Sequence, residues 1–358
     1  MNRKMAVIAL VLAMAGEAVL SFASGKEVKT EKWVPETLIP SPSYAVKKNG
    51  SYTFPEDTVS YSISLTDLNT GHWQKTDASS CLTEYLKNNF PFIVQKKKAD
   101  INISINGFSS RLPDESYTIN IGNAGIKISA GSETGAFYAL QTLTQMTSGW
   151  KDRTVPCCEI TDGPRFPYRG LHFDVSRHFR SKEFLMKQMD AMALLKLNRM
   201  HLHLTDGAGW RIEIAGYPRL TEYAAWRPQK KWTDWVEAGA KNCEYTLTGA
   251  YGGYYTAEDI KEILAYANER HIEVIPEIEM PGHSEEVIKA YPELGCSGKA
   301  GCSDFCPGKE ITFEFLKTVL DRVMDMFPSE YIHIGGDEAS KGAWKTCQDC
   351  QRRMKEKG

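Results

Sequence analysis

The chain has 358 residues, room for about two domains, and its 42% apolar and 25% charged residues match an ordinary soluble globular protein. A net charge of -2 gives no hint of nucleic acid or an anionic membrane surface as partner, and no nucleic-acid partner is expected. Aromatic residues make up 11%, with eight Trp, which permits stacking on sugar faces without requiring it.

The first residues read as an export signal. Arg3 and Lys4 form a basic start, and Met5 to Leu20 are mostly apolar. Ser21-Phe22-Ala23 then places small residues where a signal peptidase reads them, so residues 1–23 are expected to be removed. The apolar run falls short of the ~20 residues a membrane span needs. The expected location is periplasmic or extracellular. Residues 24–39, with Ser, Gly, Lys, Glu and Pro35, read as a linker.

Nine Cys follow, and export makes disulfides possible, with at least one thiol left over. Cys296, Cys302 and Cys306 share one Gly-rich loop, and Cys347-Gln348-Asp349-Cys350 is a C-x-x-C. No second C-x-x-C or C-x-x-H partners it, so loop disulfides are expected ahead of a zinc site.

Residues 40–160 read as a small α/β domain. Val59 to Leu65 and Ile101 to Ile105 alternate apolar and polar residues, as half-buried strands do. Tyr117 to Ile121 and Gly125 to Ile128 form a hairpin around Asn123-Ala124. Cys81 to Asn88 and Glu133 to Met146 read as helices. No set of catalytic residue types falls here, so a structural role is expected.

Thr161-Asp162-Gly163-Pro164 punctuates the chain, and residues 161–358 change character. Gly170 to Val175 is an apolar strand. Ser181 caps a helix with Leu185, Met189, Met192 and Leu195 on one face. Asn198 to Thr205 is the next strand. Thr256 starts a helix with Ile260, Ile263, Leu264 and Ala267 in register, and Ile272 to Ile278 is the third strand. A helix with Phe315, Leu316, Val319, Leu320 and Val323 precedes Tyr331 to Ile334, a short buried fourth strand. Strand and helix alternate, which implies a parallel sheet with right-handed crossovers.

Each strand ends in polar groups. The first gives Arg177-His178-Phe179, and the second gives His201-Leu202-His203-Leu204-Thr205-Asp206. The third gives Pro276-Glu277-Ile278-Glu279-Met280-Pro281-Gly282-His283, and the fourth gives Gly335-Gly336-Asp337-Glu338. Strand C-termini line the active site of parallel α/β proteins. An Arg at a strand end, as Arg177 is, suits paired hydrogen bonds to neighbouring hydroxyls. Asp337 and Glu338 are neighbours, so they do not easily straddle a scissile bond as the paired carboxylates of most retaining glycosidases do. They suit a division in which one protonates the leaving oxygen and the other steadies a nucleophile belonging to the substrate. A rival reading takes His201 and His203, on one strand face, as ligands of a catalytic metal completed by His283 and Asp337.

These stretches, with Arg169-Gly170-Leu171 and Gly209-Trp210-Arg211, resemble glycoside hydrolase family 20, the β-N-acetylhexosaminidases, and fall in the family's order. The resemblance implies an N-terminal α+β domain followed by a (β/α)8 TIM barrel, and retaining, substrate-assisted hydrolysis of terminal N-acetyl-β-hexosamines. Glu338 would be the general acid and base. Asp337 would hold the substrate's acetamido N–H and steady the oxazolinium, and Arg177 would bind ring hydroxyls. Asp206 and His283 would form a relay behind Glu338. No metal or organic cofactor is implied.

Two departures stand out. Where the family often carries Asp-Asp-Gln-Gly-Trp, this chain has Asp206-Gly207-Ala208-Gly209-Trp210. Only about four strand–helix units follow Arg165, whereas a whole barrel takes about 250 residues and eight strands. A truncated sequence is therefore expected. By itself such a half barrel would be poorly soluble and at most a weak carbohydrate binder, with open strand edges and an open apolar face.

Overall fold

The structure, a computed structural model, describes residues 38–67, 73–74, 80–89, 93–107, 114–148, 151–296 and 302–357. The expected export signal and nearly all of the expected linker lie outside these residues.

The first part of the chain is one mixed sheet. Its strands are β1 (Tyr44–Thr53), β2 (Val59–Asp67), β3 (Trp73–Gln74), β4 (Ile93–Gln95), β5 (Ile101–Gly107), β6 (Tyr117–Gly122), β7 (Gly125–Ala130) and β8 (Thr154–Asp162). They lie in the order β1-β8-β6-β7-β5-β2-β3, with β4 also on β2. The alternation seen in the sequence decides which face is buried: Ile101, Ile103, Ile105, Ile119, Ile121, Ile126 and Ile128 all point into one core. Two helices, α1 (Ser80–Asn89) and α2 (Glu133–Met146), accompany this sheet. Phe137, Leu140 and Leu143 of α2 join the same core. Ser132 caps α2, its side chain accepting from the Gly135 N–H.

The second part alternates strand and helix. β9 (Gly170–Asp174) leads to α3 (Lys182–Leu194), and β10 (Arg199–His203) follows. A long excursion then carries a hairpin, β11 (Thr205–Asp206) with β12 (Gly209–Trp210), and short elements α4 (Arg219–Glu222), β13 (Trp226–Arg227), α5 (Trp232–Glu237) and β14 (Tyr251–Gly252). Next come α6 (Ala257–Asn268), β15 (Glu273–Glu277), α7 (Glu285–Ala290), α8 (Glu310–Met326) and α9 (Gln348–Lys357). The helix starts are chemically marked. Ser181 accepts from the Phe184 N–H, and Thr256 with Asp259 forms a full capping box. Met189, Met192, Ile260, Ile263, Phe315, Val319 and Val323 turn inward onto the strands as one second core.

β9, β10 and β15 pair in parallel in chain order, as the first strands of a (β/α)8 barrel do. The expected fourth strand is present but looser. Residues 331–334 pair with the β15 edge through His333 N to Pro276 O (3.0 Å), Ile278 N to His333 O (3.0 Å) and Met280 N to Ile334 O (3.2 Å). Only one β-bridge forms, Glu277 with His333. The expectation that this strand is buried fails: Tyr331 is 60% and Ile334 52% exposed. Leu171 in β9 is exposed as well. Both are edge positions, paired on one side only among the described residues, so an apolar sequence there has no second neighbour to cover it. Leu195 is corrected too: it is the C-cap of α3 and partly exposed, because the helix has ended where the periodicity would continue.

Ion pairs join the two parts. Lys196 Nζ lies 2.8 Å from Asp162 and donates to the Tyr117 hydroxyl, and Arg169 pairs with Glu115 at 3.0 Å. Among the described residues, no helix is long and apolar enough to cross a membrane.

Candidate active site

Strand register builds the site from one row of residues. The pairing sets Asp174 beside His203, His203 beside Glu277, and Glu277 beside His333, all at the strands' C-terminal ends. Glu277 is the hub. It is buried, with its carboxylate 2.6 Å from His203 Nδ1, 3.0 Å from His201 Nε2 and 2.7 Å from His333 Nδ1. Burial alone would push the Glu277 carboxyl up, but the imidazoles of His201 and His203 hold it far below the usual carboxylate range. His203 answers in kind. Burial disfavours its charge, yet Asp206 (3.0 Å from Nε2) and Glu277 push its pKa up to about 10.

Arg177 stands just beyond β9. Its backbone N–H donates to Asp174 (2.9 Å), and its guanidinium reaches Asp174 (3.1 Å) and Asp206 (2.7 Å). Burial opposes its charge, but the carboxylates of Asp206 and Asp174 raise its pKa above the ordinary value. The side chain keeps about a third of its surface open, 35%. It is therefore a cation fixed by two carboxylates and still partly open at the mouth. Arg211, from the Gly209-Trp210-Arg211 stretch, is different. It is fully buried, and its donors go to the carbonyls of Val175, Ser176, Ala225 and Gly253, so it pins loops together.

The expected relay residues meet. His283 Nδ1 lies 3.5 Å from the buried Asp206, and its Nε2 lies 3.5 Å from Asp337 and 3.3 Å from Glu338. Gly335, Gly336 and Glu338 all have positive φ, so the chain turns sharply here and the acids project from the strand end. Glu338 is 80% and Asp337 63% open at the side chain. Behind them sits Glu279, buried, which accepts from the Gly336 N–H at 3.2 Å. A Cβ at Gly335 would overlap the Glu279 carboxylate, so glycine is required there. Burial first, then the charge of Asp337, pushes Glu279 up to about 7. For Asp337, burial is outweighed by its own backbone N–H, by Glu279 and by His283, and its carboxyl stays below the ordinary value. One acid of this pair thus holds its proton more readily and the other stays ionised.

The Gly207 departure also has a physical counterpart. A Cβ at residue 207 would strike the Glu285 carboxylate, which occupies the room a longer side chain would take. Burial, and then nearby Asp206, raises the pKa of Glu285.

The metal reading built on His201 and His203 is not supported by the geometry. Both imidazoles turn onto Glu277, whereas His283 lies with Asp206, Asp337 and Glu338. Among the described residues, His201 groups with Glu277 and His333, and His203 with His172 and Glu277, so the expected four ligands do not converge. Sequence reasoning singled out Asp337, Glu338, Arg177, Asp206 and His283, and the structure brings all five to one mouth. It missed Glu277, Glu279 and Glu285. The Glu277-Ile278-Glu279 alternation was a usable signal, since period two sends both acids to one face.

Residues 166–358 match the model for the glycosyl hydrolase family 20 catalytic domain, and residues 36–163 match that for the family's domain 2. A beta-hexosaminidase of Porphyromonas gingivalis is 41% identical over 271 residues, covering 70% of this chain and 33% of its own length. One from Vibrio furnissii is 35% identical over 338 residues, covering 90% and 52%. The crystal structure of a beta-N-acetylhexosaminidase from Bacteroides fragilis aligns with a TM-score of 0.73 at 33% identity, over 89% of this chain and 60% of that one. A GH20 exo beta-N-acetylglucosaminidase from Vibrio harveyi, in complex with N-acetylglucosamine, aligns with a TM-score of 0.74 at 30% identity, over 94% and 52%. The chain thus spans a third to a half of the length of these two curated relatives. With the two family models matching residues 166–358 and 36–163, and the acid pair at the strand mouth, the chain belongs to glycosyl hydrolase family 20.

Proposed function

We propose that this sequence carries the catalytic centre of an exo-acting β-N-acetylhexosaminidase that removes terminal N-acetylglucosamine or N-acetylgalactosamine from glycans by a retaining, substrate-assisted route. The observation that carries this reading is the pairing of adjacent Asp337 and Glu338 with the single imidazole of His283, backed by buried Asp206 and Glu279. Glu338 gives its proton to the glycosidic oxygen as the C1–O bond breaks. The substrate's acetamido oxygen forms the new bond to C1, giving an oxazolinium ion. Ionised Asp337 accepts from the acetamido N–H and offsets the positive charge, with Glu279 supplying a proton to its far side. Glu338, now a carboxylate, takes a proton from water as that water opens the ring. His283 and Asp206 position Glu338, and Arg177 offers donors to ring hydroxyls. The solved Vibrio harveyi relative, with N-acetylglucosamine bound, supports this substrate class.

The test is Glu338→Gln in the product of the whole reading frame. Loss of aryl N-acetyl-β-glucosaminide cleavage, with binding of a thiazoline inhibitor retained, is expected. Turnover near that of the unmodified protein would reject the assignment. We also propose export to the periplasm or outside the cell, motivated by residues 1–23. An N-terminus beginning at Ser24 in the secreted protein would support it, and an intact Met1 would overturn it.

A further inference from the structure

Four thiols that the sequence scatters over two segments meet at one point. Cys296 and Cys306 lie between α7 and α8. Cys347 and Cys350 lie at the start of α9. All four are buried. The sulfurs of Cys296 and Cys350 are 3.7 Å apart, those of Cys306 and Cys347 3.7 Å, and those of Cys306 and Cys350 3.5 Å. All four fall within 4.8 Å of one another. These spacings are well beyond an S–S bond of about 2.05 Å. They match the edge of a tetrahedron whose centre holds a metal at about 2.3 Å from each sulfur, an edge of about 3.8 Å. Cys302, in the same loop, is outside the set, its Sγ lying 3.2 Å from the Asp304 carbonyl.

The backbone around the thiols is shaped for this meeting. Cys306 N donates to Leu294 O at 2.8 Å, and Gly295 bridges Phe305, so the two strands of the first loop are held together. Gly308 passes so close to the Asp349–Cys350 peptide that any Cβ would collide with it. Trp344 packs against the cluster and donates from its ring nitrogen to Phe305 O at 2.9 Å.

We propose that Cys296, Cys306, Cys347 and Cys350 bind one zinc ion as four thiolates. Four soft sulfur ligands in a closed tetrahedron suit zinc and leave no open position, so the site is structural rather than catalytic. Binding releases one proton from each thiol, and the ion replaces the expected loop disulfides. Its position gives it a job in the fold. The loop that supplies Cys296 and Cys306 also anchors the His283 turn, through Ser284 N to Ser303 O (3.0 Å) and Phe305 N to Pro281 O (2.8 Å). Its Asp304 accepts from Lys341 N (2.7 Å) and Ser340 Oγ (2.9 Å), just after Glu338. The zinc clamps these two segments, and with them His283 and Glu338, at fixed separation.

Elemental analysis of the chain, purified without chelator or added metal, is expected to find one zinc per chain. Cobalt taken up in its place should give thiolate-to-metal charge-transfer absorption and the visible bands of a tetrahedral site. Cys350→Ser should lose the metal, and Cys302→Ser should keep it. Zinc content and the cobalt spectrum of the unmodified chain decide the matter even if Cys350→Ser does not fold. Disulfides joining these four residues in the isolated chain, iron in place of zinc, or thiols that take up neither zinc nor cobalt would overturn the proposal. None of these readouts uses turnover, so they stand apart from the glycosidase reading.

Discussion

His203 links Asp206, on the relay side of the mouth, to Glu277, on the barrel side, and its charge should be worth measurable stability. Its pKa rises from the ordinary imidazole value of 6.5 to about 10, with Asp206 and Glu277 overcoming burial. At about 1.36 kcal/mol per unit, the shift has an upper bound near 5 kcal/mol. The lowered pKa of Glu277 reflects the same contact from the other side and is not added. Removing one member of a buried pair costs about 3–5 kcal/mol. His201 and His333 still reach Glu277 when His203 is gone, so His203→Phe should sit at the low end, about 3 kcal/mol. The folded-state pKa is the higher one, so the contribution is complete below about pH 6.5 and fades as pH rises through about 10. Denaturant unfolding followed by Trp fluorescence at pH 6, 8 and 9.5 should show the gap between the two proteins narrowing. A gap that does not change with pH, or is under about 1 kcal/mol at pH 6, would refute the charged pairing.

Gly335→Ala should destabilise the chain by about 1–3 kcal/mol, since it combines positive φ with a collision at Glu279; an unchanged melting temperature would contradict that geometry. Glu279 titrates near 7, so kcat should fall as pH climbs past 7, where Glu279 becomes a second anion beside Asp337. Glu279→Gln should remove that alkaline limb, and a profile identical to the parent's would count against the pairing. Burial pushes His271 down to about 4, and its Nδ1 lies 3.1 Å from Thr134 at the junction of the two parts. This folded-state pKa is depressed, so stability should drop by up to about 3 kcal/mol as pH falls from 6.5 towards 4. His271→Gln should flatten the thermal-melt pH curve over that window, and an equally steep curve would disprove the linkage.

Much of the fold is legible because it is written locally. The isoleucines of β5, β6 and β7 alternate, and each strand's inward face follows from period two. Ser181 and Thr256 announce helix starts through the N–H groups they cap. The polar strand ends foretold where Arg177, Asp206, His283, Asp337 and Glu338 would gather. What stayed hidden depends on which segments become neighbours. Cross-strand register puts His203 against Glu277, and no single segment encodes it. Glu285 fills the space at Gly207 from the start of α7, far along the chain. Cys347-x-x-Cys350 lacked a visible partner because its partners, Cys296 and Cys306, are spaced too widely to form a motif and join it only through folding. Tyr331 and Ile334 read as buried because apolar pattern reports residue type, not whether a second strand arrives to cover them.

The sharpest question is whether the sugar's own amide is the nucleophile. Initial rates should be compared on an aryl N-acetyl-β-glucosaminide, on its mono-, di- and trifluoroacetyl analogues, and on the matching glucoside, using the product of the whole reading frame. Rates that drop with each fluorine, and no detectable cleavage of the glucoside, are the expected result. Equal cleavage of the glucoside would contradict the role given to Asp337 and Glu338.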